Sequence, residues 1–194
     1  MIVVSTLSAR THTVLGETNY PLRSFVSPNL GFQFQYHGVW GEPIGSGSLV
    51  SFVIRDPFSR SIDLFIIQID DFTLNGSGLQ KSCNCKTLID FVRWDYDRKF
   101  KIDNDVIVLN QTRLVNNYNS WQIKLNSITE TGPTEKLLVW TIDGNRGYRF
   151  QYSAPEHRFM EYLAGFEDML KSFKLSEHSE GIKPSCMLFN LICF

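Results

Sequence analysis

Apolar and polar residues alternate over several short stretches of the chain, the pattern that predicts half-buried β-strands. Phe32, Phe34 and Tyr36 alternate with two glutamines, which predicts a strand with one face toward a core. The stretch 62–69 is apolar at nearly every position, so we expect a central strand that is covered on both faces. Further strands are predicted over 49–54, 106–114, 120–128, 136–142 and 148–152.

A second periodicity, with apolar residues three and four positions apart, predicts a long helix over about 155–173. Its apolar face consists of Phe159, Leu163, Phe166, Leu170 and Phe173. We expect Ser153 or Ala154 to cap this helix, with Pro155 at its first position.

A shorter helix is predicted near 87–100. Thr87 and Asp90 are three residues apart at its start, the spacing of a capping box. Its apolar face is predicted to comprise Leu88, Ile89, Val92, Tyr96 and Phe100. Its exposed, charged face is predicted to comprise Arg93, Asp95, Asp97, Arg98 and Lys99.

Short turns connect the later strands, which favours antiparallel pairing. Asn116-Asn117 predicts one hairpin, and Asp143-Gly144, with Gly147 nearby, predicts another through residues that tolerate a positive φ. The sequence therefore predicts an α+β fold, an antiparallel β-sheet flanked by helices. We divide the chain into a leader or extended arm (1–24), a folded domain (25–175) and a C-terminal tail (176–194).

Composition and charge narrow the classes of partner. The chain has 194 residues, 43% of them hydrophobic, which suits one domain with a sizeable core. Its formal net charge of -1 offers no general attraction to nucleic acid, so we expect no nucleic-acid partner. No stretch reaches the ~20 apolar residues of a membrane helix, so no integral membrane span is expected. For residues 1–9 the sequence leaves three interpretations open: the remnant of a trimmed export signal, a first strand, or a disordered end.

The residues with metal-binding or redox chemistry give no recognisable site. The four cysteines are Cys83, Cys85, Cys186 and Cys193. The C-x-C spacing is not that of a zinc site and no histidine is close in sequence, so free or loosely paired thiols are expected. Asp63, Asp70 and Asp71 lack calcium-loop spacing and are interpreted as solvated carboxylates. We expect no metal and no cofactor.

Three local sequences resemble the PsbP-like family, within the superfamily that also holds the Mog-type Ran-binding proteins. They are residues 29–32, which lead into an aromatic strand ending near Trp40, the hairpin 142–152, and the end of the long helix at 169–174. The family usually has a Tyr-Pro pair just before the tryptophan, whereas this chain has Tyr36-His37. The resemblance implies an α/β/α sandwich around an antiparallel sheet.

The resemblance also implies a non-enzymatic binding or accessory role, because plant and cyanobacterial members of the family assist the oxygen-evolving photosystem. We expect a protein partner and, with two N-x-[ST] sequons at Asn75 and Asn110, an extracytoplasmic location. The candidate contact surfaces are the loop 36–48, with Tyr36, His37 and Trp40 as its contact residues, and the loop 70–85. No catalytic residue is assigned. The alternatives are an enzyme with a site built from scattered Asp, His and Tyr residues, which would need a deep cleft, and a cytoplasmic Ran-binding-type partner protein.

Overall fold

The computed structural model describes residues 21–28, 30–46, 49–55, 64–74, 83–100, 105–130 and 132–175. Ten strands lie within these ranges: β1 (Leu22–Ser27), β2 (Phe32–His37), β3 (Ile44–Ser46), β4 (Leu49–Arg55), β5 (Leu64–Thr73), β6 (Val106–Val115), β7 (Tyr118–Thr129), β8 (Gly132–Asp143), β9 (Arg146–Pro155) and β10 (Lys174–Leu175). The two α-helices are α1 (Leu88–Lys99) and α2 (Phe159–Ser172).

The strands form two antiparallel sheets. Seven strands make the larger sheet in the order β3-β4-β5-β9-β8-β7-β6, and three make the smaller one in the order β1-β2-β10. The predicted α+β fold, an antiparallel sheet flanked by helices, is confirmed. Strand β1 begins at Leu22, three residues before the start expected for the folded domain.

Each face of the larger sheet contributes to a separate core, because successive side chains of a strand point to opposite faces. On β8, Leu137 and Val139 join a core with α2 and the smaller sheet, while Leu138 and Trp140 join a core with α1. The large sheet is thus the middle layer between α1 on one side and α2 with β1-β2-β10 on the other. This arrangement is the predicted sandwich.

Both predicted hairpins are present, and their turns follow the expected backbone chemistry. Asn116 and Asn117 have φ of 41° and 72°, the left-handed conformation that a two-residue turn requires. Gly144 has φ of 55° in the β8–β9 turn. Gly147, in contrast, lies inside β9, where a Cβ atom would be only 2.7 Å from Phe91 Cε1. It allows α1 to approach the sheet closely, and does not serve the turn as expected.

The junction between β9 and α2 differs from the prediction. Ser153 and Ala154 do not cap a helix, because both remain in β9 and pair with Lys136 and Glu135 of β8. Pro155 ends the strand, a single 3₁₀ turn follows, and α2 begins only at Phe159. Ladder pairing with β8 therefore overrides the local capping signal.

The apolar face of the long helix is largely as predicted. Phe159, Phe166 and Leu170 are buried on α2, Leu163 is half-buried, and Phe173 is buried directly after the helix. The buried stripe explains why α2 lies flat against β2 and β9, since each large apolar side chain gains about 1.5–3 kcal/mol on burial.

The start of α1 is correctly predicted, and its buried face is predicted in part. Thr87 and Asp90 form the capping box in both directions, at 3.2 Å and 3.1 Å. Phe91 is fully buried, whereas Ile89, assigned to the apolar face, is 40% exposed. Val92 and Phe100 are buried as predicted, and the observed face differs mainly by including Phe91 and Asp95 in place of Ile89.

Cys83 and Cys85 lie in the core beside α1 and form a disulfide. The expectation of free or loosely paired thiols in a polar loop is wrong. The backbone N–H groups of Cys83 and Cys85 donate to the carbonyls of Thr73 and Leu74, which holds the segment against the end of β5. Cys186, Cys193, Asn75, Asp63 and the segments 1–20 and 176–194 lie outside the described residues.

Candidate functional site

The three predicted contact residues meet at one corner of the fold, where β2 turns into β3. We call the segment from Tyr36 to Ile44 the corner. It contains the end of β2, a 3₁₀ turn over Gly38–Trp40 and the first residue of β3. Since β3 is the outermost strand at this end of the larger sheet, the corner lies at the sheet edge.

Tyr36 and Trp40 form the inner side of the corner. Both are almost fully buried, and both pack on Phe52 of β4, with ring centroids 4.9 Å and 5.5 Å away. Gly165 of α2 lies directly against the tryptophan, where a Cβ atom would be 2.7 Å from Trp40 Cζ2. The two aromatic residues therefore fix the corner to the core and offer little surface to a partner.

The outer side of the corner is mixed apolar and polar. Val39 is 39% exposed and Ile44 is 67% exposed. The side chain of His37 is partly exposed, with Nε2 3.9 Å from Asp168 Oδ2 of α2. Glu42 pairs with Arg23 of β1. The corner therefore has exposed apolar side chains with ionisable groups around them.

The imidazole and carboxylate at the corner are not arranged as a catalytic pair. The distance of 3.9 Å between His37 and Asp168 exceeds a hydrogen bond. The Asp168 carboxylate instead accepts a 2.8 Å hydrogen bond from Lys171 one helical turn later. This hydrogen bond raises the pKa of Lys171.

A second feature, absent from the sequence predictions, is a buried charge cluster between α1 and the sheet. Arg149 of β9 binds Asp70 of β5 and Asp95 of α1, with both Asp95 oxygens 2.7 Å from Nη1. Trp140 Nε1 donates to Asp95 at 2.7 Å. All three charged side chains are at most 4% exposed. The prediction that Asp70 and Asp95 are solvated is therefore wrong.

Asp71 also differs from its prediction. The aspartate pair does not open a loop, because β5 continues to Thr73 and both residues belong to the strand. Asp71 forms a salt bridge with Arg146 of β9. Although burial alone lowers the pKa of Arg146, the hydrogen bond with Asp71 raises it. Consecutive aspartates thus point to opposite faces of β5, and each has an arginine of β9 as its partner.

A cavity of about 410 Å³ lies over the buried charge cluster. Trp94, Arg98 and Lys99 of α1 form its wall, and Phe72 of β5 contributes to the floor. The guanidinium of Arg149 also lies 5.5 Å and 5.3 Å from the ring centroids of Phe72 and Phe100. The titratable groups beneath the cavity bind one another, so their geometry is that of a structural ion-pair cluster.

Sequence signals for this cluster do exist. Arg149 stands between Tyr148 and Phe150 in an apolar strand, and a charge there requires a buried partner. Asp95 follows Phe91 by four residues and therefore shares its helical face. Within the described residues, no group of three or more His, Cys, Asp or Glu side chains is placed to hold a metal ion.

Comparison with known proteins identifies the fold. No family model matches the chain, and no curated protein matches it by sequence. Among solved structures, cyanobacterial PsbP from Synechocystis is similar over 82% of this chain and 95% of its own, at 16% identity and a TM-score of 0.53. LpqN of Mycobacterium tuberculosis, described as involved in cell envelope biogenesis, is similar over 84% and 87%, at 7% identity and a TM-score of 0.51.

A protein of Bacteroides thetaiotaomicron is also similar, at 15% identity and a TM-score of 0.53. The match covers 80% of this chain but only 48% of the Bacteroides protein, so the chain spans about half of that protein's length.

This chain therefore folds as an α+β sandwich around an antiparallel sheet. Its fold is PsbP-like, and the resemblance in sequence is confirmed as a likeness of fold. Neither helix in the described part is long and apolar enough to cross a membrane.

Proposed function

We propose that this protein is a non-catalytic accessory protein that binds a protein partner through the corner. The observation that carries the proposal is the exposed apolar pair Val39 and Ile44, presented on a segment that Trp40 anchors to the core. A rigid support lowers the entropy that a contact surface loses on binding. Protein interfaces typically combine apolar and polar residues, and the corner offers both kinds.

The three predicted residues have different roles in this proposal. His37 contacts the partner, because its imidazole is the accessible one of the three and can both donate and accept hydrogen bonds. Tyr36 and Trp40 hold the contact surface in place from beneath. Tyr36 also reaches the outer side, since its hydroxyl is 3.4 Å from Glu42 Oε2.

The proposed location is outside the cytoplasm, where disulfides persist. The Cys83–Cys85 disulfide and the likeness of fold to LpqN support this location. Alkylation of the denatured, unreduced protein, followed by mass spectrometry, should leave both cysteines unmodified when the protein comes from its native host. Complete alkylation of the two thiols would contradict the proposed location.

The corner is tested by comparative affinity purification from the native host with two matched variants. Ile44→Glu places a charge in the proposed interface. Ile128→Glu makes the same change at a 91% exposed isoleucine of β7, five strands from β3 and so roughly 24 Å away. We expect partners of the wild type to be lost with Ile44→Glu and retained with Ile128→Glu.

Circular dichroism must first show that both variants are folded, so that a lost partner reflects a changed surface and not unfolding. If Ile44→Glu retained every partner, the corner would not be the contact surface. If the purified protein converted a metabolite in an untargeted activity screen, and the activity depended on residues around the cavity, the non-catalytic proposal would be wrong.

A further inference from the structure

Strand β6 is an unusually open edge of the larger sheet. It is ten residues long and the last strand in the sheet order, whereas β3 at the opposite edge has three residues. Within the described part of the chain, no strand pairs with its outer side. An edge strand presents a row of backbone N–H and C=O groups that another strand can pair with.

The side chains of β6 are also more apolar and more exposed than those of a protected edge. Four are large, aliphatic and 45–62% exposed: Val106, Ile107, Val108 and Leu114. Proteins commonly protect such edges with lysine, proline or inward-pointing charges. Strand β6 contains no lysine and no proline. Its one charged residue, Arg113, points inward, where Glu167 of α2 binds it at 2.6 Å.

The register of β6 with β7 defines which part of the edge is regular. The pairing skips Val108, a bulge that interrupts the ladder between Ile107 and Leu109. The uninterrupted part is therefore Leu109–Val115, and Thr112 is its middle residue. Two identical strands that pair antiparallel about a two-fold axis must place one residue opposite itself. For this segment, full overlap requires Thr112 to be that residue.

The resulting pairs are compatible with a second copy of the chain. Thr112 would face Thr112, a favourable cross-strand pair, and Leu109 would face Val115 of the other copy. Arg113 would face Gln111, so no like charges oppose one another. An isologous contact of this kind closes as a dimer and does not propagate into a fibre.

We propose that the protein forms a two-fold homodimer by antiparallel pairing of β6 with β6 of a second copy, centred on Thr112. The larger sheets of the two copies then form one continuous sheet. The corner lies at the opposite edge of each sheet, near β3. The dimer therefore leaves both corners accessible at its two ends, and the proposal is independent of the proposed function.

Sedimentation velocity over a concentration series, combined with two charge variants, tests this pairing. Wild-type protein should shift from monomer to dimer with a doubling of mass as its concentration rises. Thr112→Lys should weaken self-association by roughly tenfold or more, because two lysines would then meet at the two-fold axis. Thr112→Glu should do the same. A mixture of the two variants should restore association, since the opposed charges would then attract.

Ser24→Lys is the matched control, an exposed polar residue of β1 in the other sheet. It should dimerise like the wild type, and thermal melts should show all variants folded. The protein should be produced without glycosylation, because Asn110 lies on β6 within a sequon and a glycan would obstruct the edge. A wild type that stays monomeric at all concentrations would refute the dimer. So would a dimer that Thr112→Lys leaves intact, or an edge occupied by a peptide of another protein.

Discussion

Replacing Arg149 with methionine tests whether the buried charge cluster is a structural element. Methionine keeps an unbranched apolar stem but removes the guanidinium that holds both Asp70 and Asp95. All three side chains are at most 4% exposed, so water cannot readily replace the lost ion pairs. Removing one partner from a buried ion pair costs about 3–5 kcal/mol, and we expect Arg149→Met to lower the free energy of unfolding by that amount.

Arg146→Met is the matched control on the same strand. Arg146 pairs with Asp71, the residue next to Asp70, but its side chain is 23% exposed and that of Asp71 is 13% exposed. Solvent screening limits such a partly exposed pair to roughly 1 kcal/mol or less. The two variants therefore make the same chemical change on opposite faces of β9, with predicted costs that differ severalfold.

Urea denaturation at neutral pH measures both losses from the shift of the midpoint at constant slope. An equal loss in both variants would refute the assignment of a buried ion-pair cluster.

Three further changes test the packing of α2. Phe166→Ala should cost about 3–5 kcal/mol in a urea melt, because Phe166 is fully buried and stacks on Tyr152; a loss below about 1 kcal/mol would refute the assigned face. Gly165→Ala should destabilise the protein, because overpacking against Trp40 costs about 1–3 kcal/mol. This cost exceeds the gain of roughly 1 kcal/mol in helix propensity. A rise in melting temperature would instead show that the Trp40 side chain shifts to accommodate the methyl group. Burial raises the pKa of Tyr152, so the free energy of unfolding should fall above about pH 10, where phenols of the unfolded chain ionise. Tyr152→Phe should make this fall smaller. An unchanged dependence of the unfolding free energy on pH in this range would contradict the prediction.

Local patterns in the sequence were enough to predict most of the elements. The Asn116-Asn117 turn and the Thr87–Asp90 capping box each depend on residues within four positions, and both are present. The start of α2 was predicted too early, because Ser153 and Ala154 resemble a cap only when their pairing with β8 is unknown. Non-local ladder bonds decided that boundary.

The charge cluster was missed for a related reason. Arg149 and Asp70 are separated by 79 residues, and Arg149 and Asp95 by 54. A charged residue on a helix is usually exposed, so Asp95 was assigned to the solvent face. Only the antiparallel register of β5 with β9, together with the packing of α1 on the sheet, brings the three residues together. The predicted contact residues did meet at one corner, because Tyr36, His37 and Trp40 are close in sequence.

Site-specific photo-crosslinking in the native host tests whether the corner contacts a protein partner. A photoreactive amino acid at position 39, where Val39 is partly exposed at the corner, would report any protein in contact with this surface. The same amino acid at position 128 provides the control, at the exposed isoleucine of β7. We predict a defined crosslinked partner from position 39 that is absent from position 128. Crosslinks from position 128 but none from position 39 would contradict it.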